Sequence, residues 1–174
     1  FEQINLMQGE QKRDAYLAIN PNGKVPAVRD GELLLWESSA IMLYLAEKFP
    51  HSGLLPTDPL QRAKLYQWLT WQPGTYNPPL SALNAEMVFK PPGQQSPERI
   101  AELKATVEAN NLIIDKQLGE KEYLLDTFSL ADIVMLPHLS AAADRGCNLS
   151  TRIAVYLNRL QERESWQKVS TMAT

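Results

Sequence analysis

The rhythm of apolar and polar positions changes near residue 50. From Phe1 to Leu6 the two roughly alternate, with Phe1, Ile4 and Leu6 apolar, which predicts a short strand. GEQKRD reads as a polar loop, and Asp14 is expected to cap a short helix, DAYLAIN, that ends before Pro21. Asn20-Pro21-Asn22-Gly23 is strong turn chemistry. VPAV predicts a strand, Asp30-Gly31 a two-residue hairpin turn, and LLLW the antiparallel partner. Ser38 or Ser39 then starts a helix, SSAIMLYLAEKF, with an apolar stripe of Ile41, Tyr44 and Leu45, and Pro50 stops it.

HSGLLPTDP follows as a Pro/Gly-bearing linker, and everything beyond it has a helical period. Asp58-Pro59 pairs an N-cap with proline at the first helical position. That helix runs through Leu60, Ala63, Tyr66 and Trp68 until Pro73-Gly74 interrupts it, and Pro78-Pro79 starts a second segment to about Phe89. KPPGQQ is a loop. Ser96-Pro97 opens a long helix carrying Ile100, Leu103, Val107 and Ile114, which Gly119 ends. A helix from Ser129 contains Pro137, expected to kink it, and a last helix covers roughly Thr151 to Gln161. The predicted organisation is an α+β unit over residues 1–50, a linker over 51–57 and an all-helical unit over 58–174.

Composition narrows the function classes. The chain has 174 residues, 44% hydrophobic and 21% charged, ordinary for a globular protein with a real core. With a net charge of −3 and the two signs interspersed, it lacks the basic stripe of a nucleic-acid binder. The apolar runs are too short for a transmembrane helix. A single cysteine, Cys147, allows no internal disulfide and fits a reducing compartment. One cysteine and two distant histidines do not supply a Cys/His zinc site.

Two short motifs carry candidate chemistry. Val25-Pro26 taken alone reads as an ordinary trans step at a strand start. Glu37-Ser38 taken alone reads as a strand-end acid and a helix cap, although a helix N-terminus also suits a carboxylate. NPNGKVPAV, DGELLLWESSAI and YLAEKF together resemble the cytosolic glutathione transferase family, and FSLADIVMLPHL resembles a capping segment of its helical domain. The resemblance implies a thioredoxin-like N-terminal domain followed by an all-α helical bundle. It also implies glutathione as co-substrate and thiolate attack on a small hydrophobic electrophile, in a cytoplasmic homodimer that serves detoxification.

Residue by residue, the resemblance implies a cis Val25-Pro26 bond. Val25 would then offer its backbone to the cysteinyl part of glutathione, a small case of β-augmentation. Ser38 and the helix N-terminus would take the γ-glutamyl carboxylate, and Glu37 the neighbouring ammonium. Lys24 and Gln11, or Lys12 beside it, would meet the glycyl carboxylate. Trp68, Trp71 and Tyr76 read either as helix core or as the lining of a second-substrate pocket, while Trp36 reads as core.

Ser129 and Asp132 read as a capping box that serves folding, with Phe128 and Ile133 as its staple. Cys147 reads as a bystander thiol. The family's first strand and helix, which carry a sulfur-contacting Tyr, Ser or Cys, would precede Phe1. The catalytic residue is therefore unassigned, and the natural protein is expected to be longer. Without that strand FEQINL and VPAV would lose a neighbour, at about 1–3 kcal/mol for each buried unpaired group. The rival readings are a thiol-exchange enzyme with an upstream cysteine and a non-catalytic binding or assembly module on the same fold.

Overall fold

A computed structural model describes residues 1–172. The described chain divides into two compact units, Phe1–Leu55 and Pro56–Thr174.

The first unit begins irregularly, and FEQINL forms no strand. Alternation alone does not make one: among the described residues nothing pairs with it, and an unpaired extended segment has no ladder for its backbone groups. Phe1 and Met7 are fully exposed. The polar loop tightens into a 3-10 turn, Glu10–Lys12, followed by α1 (Asp14–Leu17). Asp14 is the first helical residue rather than the cap; Arg13 holds that position without a side-chain bond. β1 (Ala27–Asp30) and β2 (Leu33–Trp36) form an antiparallel hairpin that pairs Ala27 with Trp36 and Asp30 with Leu33. The turn is therefore Gly31-Glu32, one residue later than expected, because Gly31 at φ 60° supplies the left-handed first position. α2 (Ser38–Lys48) buries Ile41 and Ala46, while Leu45 faces outward at 39% exposure.

The second unit holds a large core. α3 (Pro59–Trp71) starts at Asp58, whose carboxylate accepts from Gln61 N–H at 2.8 Å. As expected, α-helical geometry is interrupted at Pro73-Gly74, though the chain stays helical. A π-helical turn, Gln72–Tyr76, absorbs it and leads into α4 (Asn77–Asn84) and a second π turn, Ala85–Phe89. Widening the turn leaves the Thr75 carbonyl for Asn110 Nδ2 at 3.3 Å.

α5 (Pro97–Leu118) is capped by Ser96, which accepts from Arg99 N–H, and ends at Gly119 with φ 50°. α6 (Leu130–Asp144) runs continuously through Pro137. α7 (Thr151–Gln161) precedes α8 (Glu164–Met172), a helix beyond the last one expected from the sequence. Leu65, Leu80, Leu83, Ile114, Leu118, Met135, Leu139, Ile153 and Leu160 are essentially inaccessible to solvent.

The Ser129–Asp132 capping box is present in full. Asp132 accepts from Ser129 N–H at 2.8 Å, Leu124 N–H at 2.9 Å and Tyr156 Oη–H at 2.8 Å. Burial pushes its carboxyl above the ordinary value while these donors pull it back. Phe128 meets the Tyr123 ring edge-on, and the Arg163 guanidinium lies 3.5 Å over its face. Cys147 is buried, and burial first, then the nearby Glu108 carboxylate, pushes its thiol up.

Candidate functional site

The hairpin register gathers the first unit's candidate residues. Because Ala27 faces Trp36, the Val25-Pro26 step and the Glu37-Ser38 corner leave the same end of the two-stranded ribbon. Paired Cα atoms in such a ladder lie about 5 Å apart, so this end presents both segments together.

The Val25-Pro26 peptide bond is cis. Val25 is 43% exposed, and among the described residues its N–H and carbonyl make no hydrogen bond. The carbonyl just before it is tightly held: Lys24 O accepts from Tyr16 Oη–H at 2.9 Å and Asn20 Nδ2 at 2.6 Å. Asn20 is buried and uses its Oδ1 to accept from Asn22 N–H at 3.0 Å, an Asx turn that shapes the loop. Burial raises the Tyr16 phenol, keeping it a donor. Sequence reasoning missed Tyr16 and Asn20 as site residues; the Asn-Pro-Asn-Gly turn was the available signal for Asn20.

Gly23 explains how Gln11 and Lys12 come close to Lys24. It has φ 57°, and a Cβ there would fall 2.8 Å from Lys12 Nζ and 2.9 Å from the Gln11 carbonyl oxygen. Lys12 Nζ donates to the Asn22 carbonyl at 3.2 Å, so its ammonium is already engaged. Lys24 is exposed, and among the described residues its side chain makes no hydrogen bond or ion pair. Gln11 is half-buried, and its Oε1 has no hydrogen-bond partner among the described residues.

At the corner, the structure corrects the expected cap. The N-cap is Glu37, not Ser38 or Ser39, and Ser38 is the first helical residue. Glu37 has φ 73° and ψ 116°, the one non-glycine residue with positive φ among those described. Such backbone costs of order 1–3 kcal/mol and persists only where surrounding structure imposes it. The helical ladder begins with Ile41 N–H to the Glu37 carbonyl at 2.9 Å, so the Ser38 amide lies ahead of it at the positive helix end. Glu37 and Ser38 are both exposed. An exposed carboxylate beside an exposed hydroxyl and a helix N-terminus can take an ammonium and a carboxylate on one ligand carbon.

Asp30, at the far end of β1, binds α2. It accepts from Tyr44 Oη–H at 2.5 Å and forms an ion pair with Lys48 Nζ. The Lys48 ammonium first, and then the Tyr44 hydroxyl, hold the Asp30 carboxyl below the ordinary range. Trp36, expected in the core, is 38% exposed.

The helical unit contains a cavity of about 290 Å³ between α3 and α5, lined by Gln67, Trp68, Trp71, Ile113, Lys116 and Gln117. Trp68 and Trp71 meet edge to face, 5.1 Å between centroids. Tyr76 does not line it. It is wholly buried behind Trp71, 5.6 Å away, and donates to Asn111 Oδ1 at 2.8 Å, so its ring belongs to the core. Among the described residues no cluster of His, Cys, Asp or Glu could hold a metal ion, and no helix is long and apolar enough to cross a membrane.

Comparison with known proteins follows the same lines. The sequence model of the family described as "Glutathione S-transferase, N-terminal domain" matches residues 1–47. Glutathione S-transferase F10 of Arabidopsis thaliana is 36% identical over 98% of this chain and 85% of its own length. The crystal structure of glutathione transferase F2 from Populus trichocarpa superposes with a TM-score of 0.83 at 31% identity, covering 97% of this chain and 84% of that one. The theta class glutathione S-transferase of Xanthomonas axonopodis pv. citri, solved with glutathione bound, gives a TM-score of 0.84 at 29% identity, covering 91% of this chain and 77% of its own.

Proposed function

The chain belongs to the glutathione S-transferase family, and we propose that residues at the open end of its hairpin bind glutathione for attack on a small electrophile. The observation that carries this reading is the register that brings the cis Val25-Pro26 step and the Glu37-Ser38 corner to one end. Val25 would pair through its backbone N–H and carbonyl with the cysteinyl residue. Ser38 and the start of α2 would receive the γ-glutamyl carboxylate, and Glu37 its ammonium. Lys24 and Gln11 would meet the glycyl carboxylate; the exposed Lys24 ammonium suits a point-charge partner.

A glutathione thiol has an ordinary pKa near 8.5 and is mostly protonated at pH 7. The residues named here hold and orient the peptide, raising the effective concentration of the thiol at the reacting carbon. They do not themselves touch the sulfur. For the second substrate we assign the α3–α5 cavity, whose indole rings suit an apolar or aromatic group. We further propose that the enzyme works as a homodimer in the cytoplasm, removing reactive electrophiles.

Thiol consumption with a panel of aryl halides and enals tests this reading. Glutathione-dependent turnover is expected, with Trp71→Ala raising KM for the electrophile and leaving KM for glutathione unchanged. Turnover absent across the panel, despite tight glutathione binding, would favour a carrier or assembly role.

A further inference from the structure

The strained corner at Glu37 is one vertex of a closed triangle. β1 is bonded to β2 along the hairpin, β2 runs into Glu37, and Glu37 opens α2. The third side is Asp30, which reaches from the turn end of β1 to Tyr44 and Lys48, four residues apart on one face of α2. Lys48 also lies 5.7 Å from the centre of the Tyr44 ring and 6.0 Å from that of Phe49. The hairpin alone fixes where β2 ends; it does not fix the direction in which α2 departs. A single residue at φ 73° has no local preference for that geometry. Beside the burial of Ile41 and Ala46, the Asp30 bridge ties the body of α2 back to the hairpin.

We propose that Asp30, through Tyr44 and Lys48, is a positioning residue that holds Glu37 and Ser38 in the geometry that reads the γ-glutamyl group. The inference rests on the assignment of Glu37 and Ser38 made above. Asp30 lies at the turn end of the hairpin, opposite the Glu37 corner, and its ion pair is partly exposed, with side-chain accessibilities of 41% for Lys48 and 34% for Asp30. Pairs of that kind add little to global stability, so removing it should leave the fold intact and loosen the corner.

The experiment measures binding of glutathione and of cysteinylglycine, which lacks the γ-glutamyl group, to the full chain by calorimetry. It uses wild type, Asp30→Ala, Glu37→Ala and the double variant. Wild type is expected to prefer glutathione strongly. Asp30→Ala should weaken glutathione about fivefold, a coupling at the low end for residues acting together, and leave cysteinylglycine unchanged. In the double variant the losses should not add, because Asp30 acts only through the corner. Should Asp30→Ala fail to fold, the milder variant Tyr44→Phe/Lys48→Gln must give the same selective loss.

Equal losses for both ligands, additive losses, or no loss would overturn the positioning role. Wild type that does not distinguish the two ligands would instead overturn the γ-glutamyl assignment on which it stands.

Discussion

Asn20 shows how one buried side chain builds a binding loop. Its amide donates to Lys24 O and its carbonyl accepts from the Asn22 backbone, so it fixes the segment that carries Val25. Asn20→Ala removes both bonds, leaving the Asn22 N–H without its acceptor and Lys24 O with Tyr16 alone. We expect a loss of about 1–3 kcal/mol of stability, measured by urea unfolding, together with weaker glutathione binding. Gly23 is a second such position: Gly23→Ala adds a Cβ against the Gln11 backbone at a positive φ, and should cost at least about 1 kcal/mol.

Lys24, Val25 and Glu37 became candidates through the family resemblance, since Val25-Pro26 and Glu37-Ser38 taken alone read as a strand start and a helix cap. The cis Val25-Pro26 bond was legible only through family resemblance, since proline in isolation favours trans. The Glu37 N-cap was illegible because serine is the better capping residue by local chemistry, and nothing local announces φ 73°. Tyr16 belongs to no motif in the sequence, and only the fold brings its hydroxyl onto Lys24 O.

Elements were most legible where a cap has an unambiguous side chain. Asp58-Pro59, Ser96-Pro97 and Ser129 with Asp132 all start helices as expected. Ser129→Ala should cost about 0.5–2 kcal/mol by thermal or urea unfolding. The interruption expected at Pro73-Gly74 falls where α3 ends, but its form as a π turn was not legible, because its freed Thr75 carbonyl is taken by Asn110 from a distant helix. Phe1–Leu6 shows the converse: a period of two is necessary for a half-buried strand but needs a partner as well.

At the second π turn, the Glu86 carboxylate accepts from Lys90 and from Ser96 N–H at 2.7 Å, clamping the loop between α4 and α5. Lys90 first, and then the Ser96 amide, hold its pKa below the ordinary 4.5. A depressed carboxyl binds fewer protons when folded than when unfolded. Its contribution is therefore present above about pH 4.5 and is lost as pH falls through the folded value. Wild type should be more stable than Glu86→Gln at pH 7, and the difference should shrink on acidification towards pH 3. A constant difference across that range would show that the charge is not involved.

On the scale of the molecule, the two units divide the chemistry. Phe1–Leu55 carries the residues assigned to glutathione, and Pro56–Thr174 carries most of the core and the indole-lined cavity. The proposed homodimer predicts twice the chain mass by light scattering after size exclusion; a monomer at micromolar concentration would contradict it. The central claim concerns the Glu37-Ser38 corner as the reader of glutathione's zwitterionic end. Calorimetry of glutathione with wild type and Glu37→Ala tests it most directly. Hydrogen bonds to charged groups are worth about 1.5–3 kcal/mol, so the variant should bind about ten- to a hundredfold more weakly. Equal affinity in the two proteins, or no binding by wild type, would contradict the account.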